Sequence, residues 1–314
     1  MNYKKYLLGP TLLLCGALTA CTIQNPLAPT KEPQEGLEEL KADGIIALNN
    51  NDPETAEAVA SKDGRFTYRS NNIDGVTLVS DGVEATGEIV IPESIDGHRV
   101  TKIGTAAYTN ARATKIVIPD SVKIIEDNAF LGCTSLTEVV VGKDVVEIGN
   151  AAFMNCYNLT SVTLNEGVYR LGHSAFAGCY DLQEITIPDS VALIDKYCFT
   201  NSGLKSVKLP STLYYVAEGS FMGCANMNKV TIPESLAIID HLAFADCPAL
   251  ELALSDTCQQ VCSTAFQGSA SVAVNPAIVY EPRTLTYEGD FSEFENSQII
   301  QYFYSNETES ASND

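Results

Sequence analysis

Through the middle of the chain the apolar positions recur with a long period. Each cycle holds an apolar pair with one residue between its members: Ile89 and Ile91, Ile116 and Ile118, Val139 and Val141, Val162 and Leu164, Ile185 and Ile187, Val207 and Leu209, Val230 and Ile232, Leu252 and Leu254. Such a pair is the inward face of a short β-strand. Leu136, Leu159, Leu182, Leu204 and Met227 lead into it. An aromatic ring follows in every cycle, at Tyr108, Phe130, Phe153, Phe176, Phe199, Phe221, Phe244 and Phe266, stepping by 22 or 23 residues. A small residue precedes several of these rings (Ala129, Ala152, Ala175, Ala243) and leaves room for them.

One cycle cannot bury its own apolar face, so neighbouring cycles must stack and share a core. Strands then lie ~4.8 Å apart, and each slot of the repeat becomes a ladder of like residues. The rings fit such a ladder on the far side of the core, stacked with an offset. An open end of the stack needs a cap. RFTYRS and GVTLVS predict two short strands around residues 71–75, a hairpin cap at the front. At the back, Val272 and Val274 predict a further strand, and residues 278–280, 285–287 and 299–304 supply apolar segments to cover it.

Outside the repeats the pattern changes. MNYKKYLLGPTLLLCGALTA carries Lys4 and Lys5, an apolar run and then small residues. That is a secretory signal, too short and wrongly flanked for a membrane span. Residues 22–36 are rich in Pro and polar side chains and predict a flexible tether. Residues 37–62 have room for short helices, with Asp52-Pro53-Glu54 as a helix start. The expected order is a signal over 1–20, a tether and short helical segment over 21–64, and a solenoid with its hairpin cap over 65–274. A terminal cap over 275–304 and an acidic disordered tail over 305–314 complete it.

Two stretches resemble known families. Leu18-Thr19-Ala20-Cys21 resembles a bacterial lipobox, which implies cleavage before Cys21 and acylation of its thiol. Two or more acyl chains anchor a protein stably where one is marginal. Within the repeats, the strand is often closed by Pro (Pro92, Pro119, Pro188, Pro210, Pro233). Asp/Glu-Ser, Ile-Gly or Ile-Asp, Ala-Phe, and Gly-Cys or Asn-Cys then follow. With the lead-in TGEIVIPESIDGHRVTKIGTAAY, this order resembles the BspA-like leucine-rich repeats of bacterial surface proteins over roughly residues 66–274. The resemblance implies a leucine-rich-repeat solenoid, with a parallel β-strand on one face of each repeat and short irregular or helical turns on the other. No Asn ladder follows the strand, so no convex helix is expected. It also implies adhesion, with an extracellular or envelope protein or glycan as partner. An envelope spacer or assembly module without such a ligand is the alternative.

Charge and chemistry narrow this further. The chain carries 40 Asp and Glu against 19 Lys and Arg, a formal charge of -21. Nucleic-acid binding needs clustered Lys and Arg, so that partner is excluded. Anionic headgroups are disfavoured on the same ground, which leaves the lipid on Cys21 as the contact with a membrane. Cys133, Cys156, Cys179, Cys224 and Cys247 share one slot, Cys198 takes the Ala slot, Cys258 an apolar slot and Cys262 the Gly/Asp slot. Stacked in one slot, their Cβ vectors run parallel, so free buried thiols packing as small hydrophobes are expected. No Cys-x-x-Cys pair is present to bind zinc. His98 lies in the first loop, while His173 and His241 share a slot three repeats apart, ~14 Å by strand spacing and too far to share a metal.

No nucleophile elbow, zincin motif, P-loop or dinucleotide fingerprint occurs. The expectation is a protein without catalysis, metal or cofactor other than the covalent lipid. What remains is surface. Tyr169 and Tyr214 fall in one partly exposed slot and Arg170 and Tyr215 in the next; both residue types are favoured at binding hot spots. Tyr157 and Tyr180, which follow the Cys slot, form a second cluster. Partial burial against neighbouring repeats would account for the same residues.

Overall fold

The computed structural model describes residues 57–280, apart from 72–74, 82–84, 255, 270 and 275. The signal, Cys21, the tether up to residue 56, the apolar segments at 285–287 and 299–304 and the acidic tail lie outside the described residues.

The repeats stack as a parallel β-solenoid with three distinguishable sides. On the first, the apolar pairs form the longer strands. Thr86–Val90, Arg112–Val117, Glu138–Val140 and Ser161–Thr163 pair in parallel. Ser206–Lys208, Lys229–Thr231, Glu251–Ala253 and Ser271–Ala273 do the same further along. The register steps by one repeat, so Val139 lies opposite both Ile116 and Val162, and these side chains are buried. Residues between them, such as Thr163 and Thr231, face solvent.

A second side, expected to be irregular or helical, carries short parallel strands instead. His98–Ile103, Ile124–Ile125, Glu147–Ile148, Arg170–Leu171 and Leu193–Ile194 form one ladder. Tyr215–Val216, Ile238–Ile239, Gln260–Cys262 and Val279–Tyr280 form another. Ile125, Ile148, Leu171, Ile194, Val216, Ile239 and Val261 point into the core. A two-residue strand shows one inward and one outward residue, which is too short a run for alternation to be read. Among the described residues the helical content is a single 3-10 turn, Pro276–Ile278.

The third side is the turn edge. The rings from Tyr108 to Phe266 stack continuously, with centroids 5.1 to 5.7 Å apart and ring planes tilted by 5° to 13°. Offset stacking of this kind adds about 0.5–1.5 kcal/mol per pair beyond burial of area. The backbone follows the rings: the Phe130, Phe153 and Phe176 amides each donate at 2.8 Å to a carbonyl of the next repeat.

Two further slots lock this edge. The cysteine thiols donate back to the ring-bearing residue of the preceding repeat, from Cys133 to the Tyr108 carbonyl at 3.1 Å and from Cys224 to that of Phe199 at 3.2 Å. Ser269 makes the same bond to Phe244 with its hydroxyl at 2.8 Å. A small donor, thiol or hydroxyl, is what the slot requires. The slot before it turns the chain through positive φ and alternates strictly: Asn110, Gly132, Asn155, Gly178, Asn201, Gly223, Asp246, Gly268. A Cβ on Gly178 would sit 2.7 Å from Asn155 Oδ1, and one on Gly223 only 2.1 Å from Asn201 Oδ1. Each Asn or Asp therefore occupies the space that the following glycine leaves empty. The structural period of this slot is two repeats.

At the front, Phe66–Ser70 and Val76–Asp81 pair antiparallel. Val59–Ala60 adds a third antiparallel strand, so the expected helical segment ends in a strand in its described part. The cause is local turn chemistry: Ser61 Oγ donates to Asp63 Oδ1 at 2.5 Å and the Gly64 amide to the Ser61 carbonyl at 2.8 Å, which closes a tight hairpin.

One repeat breaks the strand ladders. Residues 184–187 make no backbone hydrogen bond to either neighbouring repeat, although Ile185 and Ile187 remain buried. The short-strand ladder stops nearby, between Leu193–Ile194 and Tyr215–Val216. Across the same region the turn edge is unbroken: the Phe176 amide donates to Cys198, that of Phe199 to Ser220, and that of Asn201 to Met222, all at 2.8 Å.

Candidate functional site

Large side chains that the core does not use mark the candidate surface. Tyr157 is 40% and Tyr180 57% exposed, on the turn edge directly after the thiol slot. Their rings stack on each other, with centroids 5.3 Å apart and a 15° tilt. Local backbone sets this up: the Asp181 amide donates to the Tyr157 carbonyl at 3.1 Å, which holds the two turns in register. These two residues are the only members of the sequence-derived set whose rings are in contact.

Arg170 leaves the set. It is 9% exposed, and its guanidinium donates to Glu147 Oε1 at 2.6 Å, Asp195 Oδ2 at 2.8 Å and Asn150 Oδ1 at 3.0 Å. A buried charge must be paired, and these partners come from the repeats on either side. Arg170 is a staple across three repeats. The signal for it was in the sequence: Glu147 occupies the same slot one repeat earlier, and Asp195 the Gly/Asp slot one repeat later.

The other tyrosines separate by environment. Tyr214 is 46% exposed, and its carbonyl accepts from the Ala237 amide at 2.9 Å. Its neighbour Tyr215 is half-buried and donates its hydroxyl to Asp240 Oδ2. Tyr280 donates to the other oxygen of Asp240 at 3.0 Å. Sequence reasoning missed this knot around Asp240. Tyr169 is half-buried, and burial pushes its phenol upward from the ordinary range. Tyr169 and Tyr214 share a slot but lie two repeats apart, with Ala192 between them.

The cysteines offer no reactive thiol. The described cysteines are all buried and free of disulfides. Burial pushes Cys224 up to about 11, and Cys179 and Cys247 up to about 12. Thiols held protonated in this way are poor nucleophiles at neutral pH. His241 Nδ1 lies 2.6 Å from Thr264 Oγ1, and His173 packs edge-on against Tyr197 at 5.5 Å. Among the described residues no three His, Cys, Asp or Glu side chains come together in a way that could hold a metal ion. No described helix is long and apolar enough to cross a membrane.

Parallel strands, aromatic stack and repeat length together define a leucine-rich-repeat solenoid. The family model of the BspA-type leucine-rich repeat region matches residues 101–228, 146–273 and 193–312 in six copies, and the chain belongs to that family. Among solved structures it is similar to a leucine-rich repeat protein of T. pallidum, 26% identical with a TM-score of 0.53, covering 63% of this chain and 89% of that one. A leucine-rich cell surface protein from Faecalibacterium prausnitzii is 20% identical with a TM-score of 0.38, covering 68% and 86%. One from Eubacterium ventriosum is 24% identical with a TM-score of 0.39, covering 60% and 66%. No curated protein matches the chain.

Proposed function

We propose that this chain is an exported lipoprotein, held to a membrane by lipid on Cys21, whose solenoid binds extracellular or envelope proteins or glycans and performs no catalysis. The observation that carries the reading is the split between core and surface. Core slots repeat almost without change, whereas the slots of Tyr157, Tyr180 and Tyr214 hold Thr134, Gly203, Ala225, Ala192 or Ala237 in other repeats. The fold therefore has no need of these exposed rings, and exposed aromatic rings are favoured contact residues in recognition. Export and anchoring rest on the Lys4–Lys5 leader and on Leu18-Thr19-Ala20-Cys21.

The test is protease shaving of intact cells, read with an antibody to the repeats. Loss of that signal while an internal control survives is expected, together with loss of fatty-acid labelling in Cys21→Ala. Protection of the repeats until the envelope is broken would contradict surface binding, and persistent labelling of the variant would contradict the anchor.

A further inference from the structure

We propose that the Tyr157–Tyr180 step is a stacking platform for a neutral pyranose ring, seated on the open face of Tyr180 beside Gly203. This rests on the reading of the protein as a binding scaffold and names the partner of one of its surfaces.

The slot after the thiols runs Thr134, Tyr157, Tyr180, Gly203, Ala225, Pro248. Two adjacent repeats alone carry rings there. These rings stack at 5.3 Å, a spacing inside the range of the buried Phe ladder, yet they lie outside the core. Tyr157 has Tyr180 on one face and Thr134 on the other side. Tyr180 has Tyr157 on one face and Gly203 on the other, where the turn is also one residue shorter than in the preceding repeat. The greater exposure of Tyr180 reflects that missing side chain. The chain thus begins a ring ladder and stops it one rung before a notch, with small residues at the next two rungs.

What fills the notch follows from its walls. An apolar side chain of a protein gains most in an enclosed, fully desolvated pocket, and this step has none. A pyranose ring is amphipathic. Its C–H face packs against the negative face of an aromatic ring, while its hydroxyls need donors and acceptors around the rim. Such groups border the notch: Asp181 is exposed, and Gln183, Lys205 and Asn228 follow one another rung by rung, all exposed. The Lys205 amide donates to the Gln183 carbonyl and the Asn228 amide to that of Lys205, each at 2.9 Å, so the three side chains leave the solenoid in register. A formal charge of -21 disfavours an acidic sugar.

Affinity electrophoresis of the purified full chain through gels containing mannan, laminarin, glycogen, galactan or xylan tests this. Retardation by at least one of these neutral polysaccharides is expected. Tyr180→Ala should weaken it about tenfold or more, with Tyr157→Ala weaker in effect and Tyr180→Phe nearly silent, because the ring face makes the contact. The exposed ring leaves the unfolding midpoint of Tyr180→Ala unchanged, so loss of binding is separable from loss of fold. The platform is overturned if no polysaccharide retards the chain, or if Tyr180→Ala is retarded as strongly as the natural chain. If retardation fails while the repeats are still shaved from intact cells, the platform falls and the surface scaffold stands.

Discussion

The turn edge and the strand sides of this solenoid face the same problem, how to join one repeat to the next, and they meet it differently at residues 184–187. On the turn edge every ring from Tyr108 to Phe266 stacks on its neighbours, and the backbone bonds run through without a gap. On the strand sides both ladders are interrupted at about the same repeat. Ile185 and Ile187 stay buried there, so apolar packing holds the segment in place without its hydrogen bonds. Continuity therefore resides in the aromatic stack and the small-donor slot beside it, and the strands can loosen locally without parting the repeats. This also places the surface variation: slots outside the stack are free to hold Tyr, Ala, Lys or Thr.

The contrast is sharpest between two substitutions near the break. Phe199 is fully buried, with rings 5.5 and 5.4 Å away on either side. Phe199→Ala removes one rung and leaves a cavity, at a cost of about 3–5 kcal/mol in denaturant unfolding. Thr186 is exposed and makes no ladder bond, so Thr186→Ala stays within about 0.5 kcal/mol. Similar costs for the two would erase the distinction between the sides.

A smaller effect per group comes from pH. The unfolded thiol ionises near pH ~8.5, whereas burial holds Cys224 near 11 and Cys179 and Cys247 near 12. Because the folded values are raised, the stability they contribute is complete below about 8.5 and is lost as pH rises from there toward the folded values. Each thiol then costs on the order of 1 kcal/mol by one pH unit above the unfolded value. Thermal unfolding should fall steeply through that alkaline window, and a flat profile would show that the turn edge does not shield its thiols.

Much of this was legible in the sequence because the repeats report the same environment many times. The apolar pairs, the ring ladder and the shared cysteine slot all emerge from spacing alone. Three features did not. The short strands on the second side are too brief to show a period. Arg170 reads as an exposed hot spot until Glu147 and Asp195 are seen to close on it from adjacent repeats. The break at 184–187 is invisible, since EITIP satisfies the strand pattern as well as any other repeat. Of the candidate surface, Tyr157 and Tyr180 were legible as neighbours, but the open face beside Gly203 depended on knowing that the rings stack.

The most direct measurement is residue-resolved native-state hydrogen exchange across the interrupted repeat. If the turn edge carries continuity, the amides of Phe176 and Phe199 are protected, while those of Ile185, Thr186 and Ile187 exchange at least about tenfold faster. Equal protection of the two sets would contradict the account.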